Sequence, residues 1–74
     1  MTEMQKQMAA AVGRRVRVRL IGRRTVFTGI CTDCIRPEDN EPAVASILLK
    51  TQQYDGYYEL TEDEIAGIEL LPDA

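Results

Sequence analysis

Two cysteines, Cys31 and Cys34, have the C-x-x-C spacing of redox and metal sites. A redox-active C-x-x-C pair normally lies at the N-terminus of a helix, because the helix N-terminus lowers the thiol pKa. These cysteines instead lie in a segment rich in β-branched residues, which predicts a strand, where side chains three residues apart point to opposite faces. Zinc needs four ligands, and the chain has neither a second cysteine pair nor a histidine. We interpret the pair as two small, partly buried side chains, with a metal shared between protomers as the alternative.

No catalytic set can be assembled from the other residue types. Histidine, the most common general base, is absent from the sequence. Gly22 and Gly29 lie seven residues apart, without the lysine and hydroxyl residue that follow in a phosphate-binding loop. The acidic run Glu62–Asp63–Glu64 is typical of a solvated corner. The sequence therefore predicts a protein that is not an enzyme and needs no cofactor or resident metal.

Basic residues are concentrated in the segment RRVRVRLIGRR, residues 14–24, which holds six of the nine. The chain as a whole carries a formal net charge of −3, and ten of its twelve acidic residues follow position 36. Clustered arginines on a rigid surface favour contact with phosphates, and a tyrosine beside a turn can stack on a base. The candidate nucleic-acid-binding residues are Arg15, Arg17, Arg19, Arg23, Arg24 and Tyr57. The alternatives are a solvated strand face paired with the acidic strands, and tyrosines that belong to the core and its rim.

A short amphipathic helix is predicted over residues 2–12. Thr2 and Gln5 have the spacing of a capping box. Gly13 can adopt the left-handed conformation that commonly ends a helix. One apolar stripe must dock on the rest of the protein, because an isolated helix of this length is marginal. Its residues are Met4, Met8, Ala11 and Val12.

Five strands are predicted after the helix. From Arg15 the pattern alternates, so that Val16, Val18 and Leu20 face the core while the arginines face outward. Gly22 permits a tight turn, and Gly29 marks a bend or bulge in the second strand, residues 25–35. The remaining strands are predicted at residues 43–51, 57–60 and 65–71, with an acidic corner or one 3₁₀ turn before the last. The fold class is mainly β: a helix and a strongly bent five-stranded small barrel over residues 15–71.

This order of elements resembles the Sm-like family, whose SH3-type barrels assemble into rings. Gly22 and Asp33 have the eleven-residue separation of that family's first motif. RNA-binding members carry an asparagine shortly after the aspartate, whereas residues 34–37 here read CIRP. The family's second motif has a hydrophobic residue, a basic residue and a glycine. Ile65-Ala66-Gly67 keeps the first and the third and has alanine in place of the basic residue. The resemblance is to a divergent bacterial or phage member and implies a single Sm-like domain over residues 1–74. It supports the predicted architecture more than a particular activity, because a fold does not determine a function.

We therefore expect a non-catalytic binding module that forms a homo-oligomeric ring through its edge strands. A 74-residue chain buries little surface alone, and strand pairing between protomers adds burial. RNA is the first expected partner. A protein-interaction or adaptor module without nucleic-acid binding is the alternative, favoured by the acidic second half. No apolar run approaches the roughly 18 residues that cross a bilayer, and no secretory signal is visible. These features predict a cytoplasmic protein with no membrane partner.

Overall fold

The computed structural model describes residues 1–72 and contains one helix followed by five antiparallel strands, which confirms the predicted fold class. The last two residues of the predicted 1–74 domain lie outside the described residues. A short 3₁₀ helix, Pro37–Asp39, separates the second and third strands. The other elements are α1 (Glu3–Ala11), β1 (Arg15–Leu20), β2 (Val26–Ile35), β3 (Ser46–Lys50), β4 (Tyr57–Thr61) and β5 (Ile65–Leu70).

The strands form one sheet in the order β4-β3-β2-β1-β5. Every neighbouring pair is antiparallel, and β5 returns to pair with β1 rather than with β4. Within residues 1–72, β4 and β5 each have one hydrogen-bonded neighbour, so the sheet is not closed by hydrogen bonds. The molecule thus has two free strand edges. No helix in the same range is long and apolar enough to cross a bilayer.

Helix α1 has the predicted capping residues, although it ends at Ala11, one residue earlier than predicted. The Gln5 backbone N–H donates to Thr2 Oγ1 at 3.1 Å, and the Thr2 N–H donates to Gln5 Oε1 at 3.0 Å, forming the capping box. Gly13 follows the helix with a φ of 81°. Met8 and Ala11 are fully buried. The placement of Val12 in the apolar stripe is wrong, because Val12 has already left helical geometry (ψ 129°) and is 43% exposed.

Strand β1 alternates between core and solvent along its whole length. Val16 and Val18 are completely buried and Leu20 is almost so, while the arginines between them are exposed. This confirms the period-two prediction. The inward residues of β1 join one core with Met8 and Ala11 of the helix. Other core members come from the remaining four strands and the segment before β3: Cys31, Ala45, Ile47, Leu49, Leu60 and Ile65.

Strand β2 contains a bulge that reverses the predicted placement of its cysteines. Cys31 lies opposite Leu49 and Cys34 opposite Ile47, and the register shifts between Cys31 and Asp33. Two residues apart on β3, Leu49 and Ile47 share a face, so their partners share it as well. The prediction that the two cysteines face opposite sides is therefore wrong. Thr32 is the additional residue that brings both thiols to the core side.

Gly29 does not mark a bulge, one of the two features predicted there. The register shift lies beyond it, between Cys31 and Asp33. At Gly29 the backbone of β2 approaches the end of β3 so closely that a Cβ atom would overlap the Lys50 carbonyl oxygen. Only a residue without a side chain permits this approach.

The acidic corner joins β4 to β5 and holds neighbouring segments in place. It is a hydrogen-bonded turn, with the Glu64 N–H donating to Thr61 O at 3.1 Å, rather than a 3₁₀ helix. Glu62 accepts hydrogen bonds from Ala45 N at 2.7 Å and from Gln5 Nε2 at 3.1 Å. One carboxylate therefore links α1 to the segment before β3. Strand β3 begins at Ser46, three residues later than predicted.

Candidate nucleic-acid interface

Three of the candidate arginines lie on the outer face of β1. Arg15, Arg17 and Arg19 alternate with buried residues and are all exposed. Residues two apart in a strand are separated by roughly 7 Å. The hydrogen-bonded strands of the sheet therefore present three guanidinium-bearing positions at regular intervals.

The other two candidate arginines extend this surface beyond the strand. Arg23 and Arg24 are exposed in the loop that follows β1. The Arg23 N–H donates to Leu20 O at 3.3 Å, and Gly22 in that turn has a φ of 70°, as expected. We call the five arginines at positions 15, 17, 19, 23 and 24 the cationic face.

One member of the cationic face has a carboxylate partner. Arg17 Nη1 lies 3.0 Å from Glu69 Oε1 on β5, and both side chains remain half exposed. An exposed pair of this kind contributes at most about 1 kcal/mol. For the other four arginines, no carboxylate of residues 1–72 lies within 4.0 Å. The acidic corner forms no ion pair with them: its carboxylates accept hydrogen bonds from the groups described above and from Thr61, and none lies within 4.0 Å of these arginines.

Tyr57 stands on the same outer surface but away from the arginines. The strand registers place it in one row with Arg15, Ile30 and Lys50, across β1, β2, β3 and β4. With strands about 4.8 Å apart, Tyr57 is roughly 14 Å from Arg15 along this row. Its side chain is 58% exposed, and Lys50 Nζ lies 5.6 Å from its ring centroid. The ring is therefore accessible and flanked by a cation.

Lys50 is a residue of this surface that the sequence analysis missed. It pairs with both Ile30 and Tyr57, and its outward direction follows from the buried Ile47 and Leu49 on the opposite face. That alternation is visible in the sequence. Its place beside Tyr57 is not, because it depends on the register between β3 and β4.

The other two tyrosines belong to the core and its rim, the alternative that the sequence left open. Tyr58 packs on Phe27 with ring centroids 4.7 Å apart and joins the buried cluster. Tyr54 covers Tyr58 at a centroid distance of 5.0 Å and is half exposed. The Tyr58 ring thus packs against the core, whereas the Tyr57 ring is exposed to solvent.

The two thiols share the core side of β2 and are poorly suited to nucleophilic chemistry. Burial raises the pKa of Cys31, which is fully inaccessible, and also that of the partly buried Cys34. A raised pKa lowers the fraction of reactive thiolate at neutral pH. The Cys31 thiol donates to Asp33 O, at 3.4 Å. Within residues 1–72 no group of three or more potential metal ligands is brought together.

The described geometry places positive charge and the accessible aromatic ring of Tyr57 on one sheet surface. These are the two features with which proteins bind single-stranded nucleic acid: cations for the backbone and an aromatic face for a base. No family model matches the sequence, and no curated protein or solved structure is significantly similar to it.

Proposed function

We propose that this chain is a non-catalytic, Sm-like module that binds single-stranded RNA through the cationic face and Tyr57. The observation that carries the proposal is that four exposed arginines have no carboxylate partner among residues 1–72. Like charges close together repel one another, and an anionic ligand relieves that repulsion. If the arginines served only to balance the acidic strands, pairs such as Arg17–Glu69 would be the rule on this face.

The spacing of the face suits a flexible polyanion. Positions roughly 7 Å apart along β1 give successive phosphates separate cations, and the loop arginines continue the track. Tyr57 lies at the far end of the row that starts at Arg15. A base that points away from the RNA backbone can stack on its ring there. The acidic character of the rest of the chain confines binding to this face.

We further propose that the module assembles as a homo-oligomeric ring. The unpaired edges of β4 and β5 offer the strands that would join neighbouring protomers. Leu70 on β5 is 42% exposed, and pairing would cover it. Static light scattering at micromolar concentration should report a multiple of 8.3 kDa. A mass of one chain would overturn the assembly while leaving the RNA proposal open to its own test.

RNA binding is tested by removing charge from the cationic face and, as a control, from elsewhere. The variant Arg19→Gln/Arg23→Gln removes two unpaired arginines. The control Lys6→Gln/Arg36→Gln removes two exposed cations from α1 and from the segment after β2. Anisotropy of a fluorescein-labelled oligouridine, measured between 50 and 200 mM salt, gives the affinity and its salt slope. Each lost phosphate contact should flatten the slope by about 0.7.

Three results would decide the matter. A slope reduced by about 1.4 in the first variant, with the control unchanged, supports the proposal. Equal behaviour of the two variants would contradict it. Val26 and Ile30, both over 40% exposed, add an apolar area beside the cationic face that a protein partner would bury. Salt-insensitive binding of a protein, without RNA binding, would therefore favour an adaptor module instead.

A further inference from the structure

A cavity of about 580 Å³ opens on the outer sheet surface where β1 begins and β3 ends. Its volume falls in the range of small-molecule sites, roughly 300–1,000 Å³. Arg15 is the only residue that it shares with the cationic face. The residues that matter for its chemistry are Arg15, Ile30, Lys50, Gln52 and Gln53.

Two cations flank an apolar floor in this cavity. Ile30 pairs with Arg15 on one side and with Lys50 on the other, so the backbone positions of the two cationic residues lie roughly 10 Å apart across it. Ile30 is 43% exposed although it lies in the middle of the sheet. Among residues 1–72, Lys50 Nζ has one carboxylate neighbour, the fully exposed Asp55 at 3.9 Å, which compensates its charge only weakly. Lys50 Nζ also donates to the Gly56 carbonyl oxygen at 3.5 Å.

Two amides complete the wall from the β3–β4 loop. Gln52 and Gln53 are exposed, and neither side chain makes a hydrogen bond within residues 1–72. Each amide carries both donors and an acceptor, which is what the edge of a nucleobase requires. A phosphate group would need only the two cations. The apolar floor and the two amides therefore favour a ligand that also carries a nucleobase.

We propose that this cavity is a subsite for one nucleotide. The phosphate binds to Arg15 on one side of the floor, the base packs on Ile30, and the amides of Gln52 and Gln53 bond to the edge of the base. Tyr57, paired with Lys50 on the next strand, offers the following base a stacking surface. This inference rests on the proposed RNA binding and assigns it a base-contacting site. A free nucleoside monophosphate presents the same chemistry as one unit of a strand.

The test removes the amides without changing charge. Gln52→Ala/Gln53→Ala should weaken binding of labelled oligouridine or oligoadenosine by about tenfold, the effect of two neutral hydrogen bonds. It should change the affinity ratio between the two oligomers and leave the salt slope intact. Gln7→Ala, on α1, is the matched control. Because the altered residues lie in an exposed loop, circular dichroism should show the wild-type unfolding temperature.

A second variant and a titration complete the test. Ile30→Glu places a carboxylate between the cations and should abolish binding of both oligomers. Titration of UMP and AMP, followed by the side-chain amide NMR signals of Gln52 and Gln53, separates the sources. Shifts with the mononucleotides support a free nucleotide, and shifts with the oligomers alone support a strand. If Arg19→Gln/Arg23→Gln weakens RNA binding while Gln52→Ala/Gln53→Ala changes neither affinity nor base ratio, the subsite is overturned and the RNA proposal stands.

Discussion

The guanidinium of Arg19 lies over Gly67, its cross-strand partner on β5, and fills the space that a side chain there would occupy. Gly67 thus determines how one cation of the proposed interface is held. The φ of Gly67 is outside the left-handed region, so other residues are conformationally allowed at this position. A side chain at residue 67 therefore acts directly on Arg19.

Gly67→Asp should place a carboxylate against Arg19 and neutralise it, because opposite charges directly across a strand pair attract. We expect weaker oligouridine binding and a salt slope flatter by about 0.7. Ala66→Asp adds the same charge one residue away, at an exposed position, and is the control. Anisotropy titrations at several salt concentrations measure both. Identical curves for the two variants would show that Arg19 contributes no phosphate contact.

Gly29→Ala should destabilise the fold by about 1–3 kcal/mol, because its methyl group overlaps the backbone carbonyl of Lys50. Gly67→Ala is the matched control, since its methyl group meets only the flexible end of Arg19. The control should remain within about 0.5 kcal/mol of wild type, as is usual for surface changes. Urea unfolding monitored by circular dichroism gives both values. Equal destabilisation would contradict a special role for the contact between Gly29 and β3.

Glu62→Ala should cost about 1–3 kcal/mol, since the buried Ala45 N–H loses its acceptor and Gln5 loses its link to the sheet. Glu38→Ala removes a carboxylate that has no hydrogen bond or ion pair within residues 1–72 and should be close to neutral. Thermal unfolding compares the two variants. Amide hydrogen exchange at Ala45 should accelerate in the first only; unchanged exchange there would refute the role assigned to Glu62.

The thiols should make stability fall in alkaline solution. Burial raises the pKa of Cys31 and of Cys34 above the ordinary value of 9.0, so folding favours the protonated thiols. This stabilisation is complete below the pKa of the unfolded cysteines and is lost as pH rises through the higher folded values. Iodoacetamide labelling followed by mass spectrometry should modify Cys34 before the inaccessible Cys31, and both more slowly than a free cysteine. Rapid labelling of Cys31 at pH 7 would contradict its burial.

Local patterns predicted the elements that depend on neighbouring residues. Thr2 and Gln5 form their capping box within one helical turn, and the alternation around Val16 and Val18 needs only the period of a strand. Tyrosine roles required tertiary information, because Tyr57 and Tyr58 are adjacent in sequence and face opposite sides of β4. Their difference in exposure follows from the position of Phe27, which only the folded sheet supplies.

Features that depend on strand register could not be read from the sequence. The bulge at Thr32 exists because β2 pairs with β3, and no glycine marks it. The Arg17–Glu69 pair joins residues 52 positions apart. The cavity likewise requires the register that places Ile30 between Arg15 and Lys50. Residue types identified the cationic face, whereas its partners and its neighbouring cavity arose from pairing between distant strands.

The pairing of β1 with β5 has a consequence for how the proposed binding surface forms. One edge of β1 stays unpaired until residues 65–70 are available, so the first strand is completed by the last. Contacts so distant in sequence slow folding. During synthesis, β1 leaves the ribosome long before Glu69 and Gly67 can hold Arg17 and Arg19. The arrangement of Arg17 and Arg19 described above is therefore complete only when β5 pairs with β1.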